Sequence, residues 1–269
     1  MMPADVAQER AIAAQLASGD LVAARQALAA VVRNAPGDQR ARMFLCQMLC
    51  IDGAWDGARS QLRALAQLSP EAQMLSVAYG QAIEAERLRA AAMAGEERAP
   101  LLAGGEAWAE VFVDALAAVG PDAGLLRRHA LDGSPDMPGE IDGHRFDYLF
   151  DADSRFGPMF EAVVAGRWGL IPFAAVAEIT SEGPVDLRDL VWLPAEIRLR
   201  DGAGIAALLP VRYPGTEVQE EGALRLARRT EWHEAEDAVH GLGQHLWTTS
   251  DGTDIGILGF RRIRFDPQP

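Results

Sequence analysis

Five histidines, two cysteines and two closely spaced aspartates are the residues of this 269-residue chain whose types invite chemistry. His129, His144, His233, His240 and His245 form no His-Glu-x-x-His pattern, and His240 and His245 stand five apart across two glycines. They read as turn or interface histidines, and no metal is expected of them. Cys46 and Cys50 are four apart, which puts both thiols on one helix face. With no further ligand nearby they read as small apolar side chains of a helix core. Asp151 and Asp153, in Asp-Ala-Asp-Ser, resemble the start of a cation loop, but the later ligands and glycine of an EF-hand are missing. Asp153 or Ser154 is instead expected to cap a helix. Gly241-Leu-Gly243 lacks the third glycine of a dinucleotide loop. No Walker motif or Gly-x-Ser-x-Gly elbow occurs. Ser134, Ser154, Ser181 and Ser250 have no evident His/Asp partners in the sequence. The expectation is a non-catalytic protein with no cofactor. Because triads assemble through space, the alternative is a hydrolase or transferase with its site near Trp192, Arg228 and Trp232.

A second group is aromatic and cationic: Trp192, Tyr213, Trp232 and Trp247 lie among Arg188, Arg212, Arg228 and Arg229. It reads either as a core in which Trp stacks on Arg or as a hot-spot patch for another protein.

The elements that must position these residues announce themselves by period. Gly19, Ala24, Arg25, Leu28 and Pro36 recur 34 residues later as Gly53, Ala58, Arg59, Leu62 and Pro70. This is the tetratricopeptide period, the mark of stacked helical hairpins. Ala, Leu, Gln and Arg dominate up to about Arg89, and breaks fall at Ser18-Gly19-Asp20, Ala35-Pro36-Gly37-Asp38, Asp52-Gly53 and Ser69-Pro70. The pattern predicts two hairpins and a third first-helix over about 71–92. Ala24 and Ala58 are expected at close crossings and Leu28 and Leu62 in the core. Residues 95–105 read as a linker, followed by helices around Trp108–Leu116 and Ala123–Leu131.

Beyond about residue 138 the texture changes to Asp-Gly turns and short strand-like runs at 168–173, 191–199, 205–211 and 254–265, with a helix expected over 156–165. The fold class is therefore α+β: N-terminal all-α tetratricopeptide-like hairpins over 1–135, then an α+β domain over 136–269 with a mostly antiparallel, strongly bent sheet.

The net charge is −14, and all 25 basic residues are arginine. Residues 1–100 carry 11 acidic and 10 basic side chains, the remainder 28 and 15. So acidic a second half argues against nucleic acid and against anionic membrane surfaces. The first ten residues lack the basic and apolar regions of a signal peptide, and no apolar run is long enough to span a bilayer. A cytoplasmic protein is expected.

Five blocks in order carry a resemblance: Gly143-His-Arg-Phe146; Asp186 to Ala195; Leu209 to Gly215; Leu226 to Trp232; and Gly241-Leu-Gly-Gln244. Together they resemble the ImpE/TagJ family of type VI secretion accessory proteins, over nearly the whole chain. Ala227, Glu231 and Leu193 stand where the family pattern has Gly, Asp and Arg. The resemblance implies an adaptor that binds the small sheath subunit (TssB-like) and associates with the ClpV-type disassembly ATPase. It singles out Asp186, Trp192, Tyr213, Arg228, Trp232 and Gln244 as structural or interface residues.

If the repeats form the binding surface, the period places Val6, Glu9, Ala13, Arg40, Met43, Gln47, Met74, Val77 and Gln81 on its inner face. Met43 and Met74 would be its adaptable contacts.

Overall fold

A computed structural model describes the backbone of residues 3–118, 121–235 and 238–267, and the side chains from Arg10 onward within those ranges, Pro121 excepted. The first half is helical: α1 (Pro3–Ser18), α2 (Leu21–Asn34), α3 (Gln39–Ile51), α4 (Trp55–Ala66), α5 (Pro70–Met93), α6 (Ala107–Ala117) and α7 (Pro121–Gly133). The 34-residue period is a repeat of helix stops. Gly19 and Gly53 take left-handed φ values of +80° and +66°. In each case the next amide reaches back five residues, Asp20 to the Gln15 carbonyl and Ala54 to that of Leu49, at 2.8 Å. Asp20 and Asp38 cap α2 and α3 through the amides of Ala23 and Ala41, and Ser69 caps α5 ahead of Pro70. Ala24, Ala58, Leu28 and Leu62 are buried, as the period predicts.

The second half holds β1 (Gly139–Ile141), β2 (His144–Phe146), β3 (Leu149–Asp151), β4 (Met159–Val164), β5 (Arg167–Pro172), β6 (Val176–Thr180), β7 (Trp192–Leu199) and β8 (Gly204–Pro210). After a short helix α8 (Gly222–Arg225) come β9 (Thr230–Glu234), β10 (Val239–Gly243), β11 (Leu246–Thr249), β12 (Asp254–Gly256) and β13 (Arg262–Phe265). Eight strands form one sheet in the order β2-β1-β13-β6-β7-β8-β4-β5; β9–β10 is a hairpin, and β12-β11-β3 a smaller sheet. Every pairing between these strands is antiparallel. The fold class is α+β.

Three local expectations change. The helix expected at 156–165 is strand β4: its run Met-Phe-Glu-Ala-Val-Val is apolar without a period that separates helix from strand. Ala165 and Gly166, both at positive φ, turn it directly into β5. The run at 254–265 divides into β12 and β13, in different sheets. The stretch at 95–105 is in part structured: Leu170 of β5 donates to the Pro100 carbonyl and accepts from the Leu102 amide, both at 2.9 Å.

Two apolar cores result, and neither stops at the change from helix to strand. One gathers α5–α7 with the large sheet, including Phe112, Phe156, Phe160, Phe173 and Trp247. The other is the interior of the hairpins, completed by Val191, Trp192 and Leu226 from the second half.

Candidate functional site

The segment before β7 packs on the repeats. Asp186 caps a 3-10 turn (Leu187–Leu190), accepting from the Arg188 amide at 2.8 Å and pairing with its guanidinium. Asp189 accepts from the amides of Val185 and Asp186. Leu187 and Leu190 face the hairpin core, and Arg188 lies 4.5 Å above the Tyr79 ring. Trp192, fully buried, meets the rings of Trp55 and Tyr79 and donates Nε1–H to Glu86 of α5 at 2.8 Å.

Glu86 opens a buried network that joins helices to sheet. Arg89, one turn further along α5, makes a two-pronged bond to Glu161 of β4, Nε to Oε1 at 2.7 Å and Nη2 to Oε2 at 2.6 Å. Glu161 also accepts from Trp168 Nε1 at 2.9 Å. His245 stands between two carboxylates, Nδ1 at 2.7 Å from Asp151 and Nε2 at 3.0 Å from Glu161. Tyr213 donates its hydroxyl to Asp151 at 2.9 Å, and its ring centroid is 3.9 Å from that of His245. Burial, opposed by His245, raises the Asp151 pKa. With Asp151 and Glu161 ionised both can only accept, so both imidazole nitrogens then donate and the ring is an imidazolium. Burial alone disfavours that charge, but Asp151 and Glu161 outweigh it and lift the His245 pKa to about 9. Burial likewise opposes ionisation of Glu161, and Arg89 and His245 reverse the effect, bringing it to about 2. Each of these buried polar groups is engaged within the protein, and the arrangement ties α5 to the sheet as a structural joint.

The repeat itself is gripped by arginines from the second half. Arg228 donates to the carbonyls of Leu16 and Ala17, each at 2.9 Å. Arg212 donates to those of Cys50 and Ile51, at 3.4 and 2.8 Å. Residues 16 and 17 become 50 and 51 after one period, so the same two carbonyls at the C-terminus of each first helix receive a guanidinium. The first of each pair, Leu16 or Cys50, also accepts from the amide of Gly19 or Gly53 at 3.1 Å. Arg212 is buried, which lowers its pKa to about 10. Alongside, Gly222 of α8 presses on Gly19: a Cβ on Gly222 would come within 2.0 Å of the Gly19 carbonyl oxygen. Arg225 pairs with Asp52, which Arg25 also holds at 2.8 Å.

The motif residues thus act mainly as joints. Gln244 donates to the Ala227 carbonyl at 2.7 Å and accepts from the Leu258 amide at 3.1 Å. Ala227, where the family pattern has Gly, takes φ +53°. Leu193 is buried in the sheet core, and Glu231 pairs with Arg229. Trp232, 39% exposed, lies 5.7 Å from Tyr213, centroid to centroid. The Trp-on-Arg core does not form among the described residues: the tryptophans meet other rings or carboxylates, and most of the arginines seek carbonyls and acids. Trp192, Arg228 and Trp232, where an enzyme site was the alternative, are each engaged in separate contacts. Asp153 caps a turn rather than a helix, holding Arg155 and the Gly241 amide.

Of the inner-face residues, the side chains of Val6 and Glu9 lie outside those described. Gln47 is buried, on a helix against which the 3-10 turn before β7 packs, and this removes it from any open surface. Ala13, Arg40, Met74, Val77 and Gln81 are exposed and Met43 is half-buried. Met74 and Val77 expose 78% and 61% of their surface, and the same face of α5 continues through Ala78 and Gln81 into a trough of about 640 Å³ against the sheet. The trough and the network escape sequence reasoning because their residues are far apart in the chain; an isolated glutamate inside the apolar run of β4 is the one local hint of the network.

A family model described as ImpE protein matches residues 143–264. The type VI secretion system accessory component TagJ of Pseudomonas aeruginosa is 37% identical over 256 residues, 94% of this chain and 90% of that protein. The crystal structure of protein VPA1032 from Vibrio parahaemolyticus has the same fold, with a TM-score of 0.84 over 96% of this chain and 98% of that one at 22% identity.

Proposed function

Since the chain belongs to the ImpE/TagJ family and is thus an accessory component of type VI secretion systems, we propose that it is a cytoplasmic adaptor that binds the small sheath subunit and links it to the ClpV-type disassembly ATPase. The observation that carries this reading is the α5 face, where Met74 and Val77 stand in water beside an open trough. Large apolar side chains clustered on an exposed face are what a protein partner covers. Ala13, Arg40 and Met43 extend the surface across the first helices of the repeats. The ATPase link rests on the family resemblance. The acidic charge supports a protein partner over nucleic acid. Of the described helices, none is long and apolar enough to cross a membrane.

Co-purification with the small sheath subunit and with the ATPase N-terminal domain tests the proposal. Met74→Glu with Val77→Glu, both solvent-facing, is expected to abolish sheath-subunit capture without changing the melting temperature. Capture of neither protein by the wild-type chain would refute the adaptor role.

A further inference from the structure

We propose that the trough between α5 and β6–β7–β8 is a docking site for a short partner segment carrying small apolar side chains together with arginine or lysine. That the occupant is a protein rests on the adaptor reading above; its chemistry is read from the trough. The cavity of about 640 Å³ is in the size range of ligand clefts. Water-facing positions of an antiparallel sheet are ordinarily polar. Here the floor is Pro194 of β7 and Ala206 and Leu208 of β8, with Thr180 of β6 beside them. Ala78 and Gln81 of α5 form one wall, and Val185, 86% exposed, stands at the opposite lip.

The charge at the rim selects the occupant. Glu182 and Glu196 line the trough, both exposed, and neither has a hydrogen bond or ion pair among the described residues. No arginine lines the cavity. Asp189, the third acid there, is already committed to the amides of Val185 and Asp186. Glu178, two residues before Thr180 on β6, shows how this sheet treats a glutamate it keeps for itself: Arg198 and Arg262 both bond it. Glu196 has Thr180 and Ala206 as cross-strand neighbours, and the nearest arginines on its face, Arg198 and Arg262, are committed to Glu178. Two unpaired carboxylates over an apolar floor complement a segment that brings the cations itself.

The test uses the full chain and two labelled synthetic peptides, an Ala/Leu sequence bearing arginines and a twin with glutamate in their place, followed by fluorescence anisotropy. The arginine peptide is expected to bind with an affinity that weakens as salt rises, and its twin to show no binding. Glu196→Arg should weaken binding by about tenfold or more. Ala206→Trp, which fills the floor without altering charge, should do the same, with both variants keeping the wild-type melting temperature. Equal binding of the twin peptides, or unchanged binding to Ala206→Trp, would overturn the site, the latter meaning only a general attraction to an acidic surface. The small sheath subunit is the second arm. If the wild type and both variants capture it equally, the trough proposal fails and the adaptor reading stands. If the wild type does not capture it while the peptides behave as expected, the trough stands and the adaptor reading fails.

Discussion

Glu161 and Glu196 belong to the same sheet and meet opposite fates. Glu161, on β4, is buried and accepts from Arg89, Trp168 and His245. Glu196, on β7, lies in water at the rim of the trough with no hydrogen bond or ion pair among the described residues. A buried carboxylate that lacked partners would cost several kcal/mol, whereas an exposed one is satisfied by solvent until something displaces the water. The contrast separates the part of the molecule that holds it together from the part left open. Charge alone marks neither, since both regions are acidic; pairing does.

The comparison can be broken from its buried side first. Arg89→Ala removes the buried cation shared by Glu161 and Glu86, leaving them only their neutral indole donors and, for Glu161, His245, and is expected to cost about 3–5 kcal/mol. Because the network spans α5 and the sheet, helices and strands should melt in one coincident transition, followed by far- and near-ultraviolet circular dichroism; separate transitions would contradict the joint.

Next in size is the pH dependence. The folded-state pKa of His245, about 9, lies above its unfolded value, so the imidazolium's contribution is complete below about pH 6.5 and is lost as pH rises through 9. The contribution is on the order of 3 kcal/mol. Glu161 is shifted the other way, so its contribution is complete above about pH 4.5 and is lost as pH falls towards 2. Urea midpoints should therefore peak between about pH 4.5 and 6.5, and His245→Gln should flatten the alkaline limb.

A smaller effect sharpens the reading of the repeat. Arg212→Ala removes the guanidinium donor from the buried carbonyls of Ile51 and Cys50 and should cost about 2 kcal/mol. The equivalent Arg228→Ala, at the exposed Leu16 and Ala17 carbonyls, should cost under about 1 kcal/mol. Ala227→Gly should stabilise the fold by about 1 kcal/mol, since glycine holds φ +53° without strain. Glu196→Arg is expected to change stability by less than about 0.5 kcal/mol, as a surface substitution should.

What could be read from the sequence follows how local the cause is. Gly19 and Gly53 were legible because a helix stop is written in a few adjacent residues. Ala24, Ala58, Leu28 and Leu62 followed from the same period. β4 was not legible: its apolar run fits helix or strand, and pairing with β5 and β8 decides. The family blocks were visible as text, but their roles depended on partners elsewhere in the chain. Arg212 and Arg228 meet carbonyls more than 160 and 210 positions away. Asp151, Glu161 and His245 converge with Arg89 only when the sheet and α5 are assembled. The period itself suggested an open groove, whereas residues 186–192 and the arginine grips occupy much of what the repeats present.

Hydrogen–deuterium exchange of the full chain with and without the small sheath subunit bears most directly on the division between joint and open surface. New protection is predicted at residues 74–81 of α5 and in β6–β8 around the trough, with no change at Arg89, Glu161 or His245, which are already buried. Protection confined to β9–β10, or absent from the trough when the subunit is bound, would contradict it.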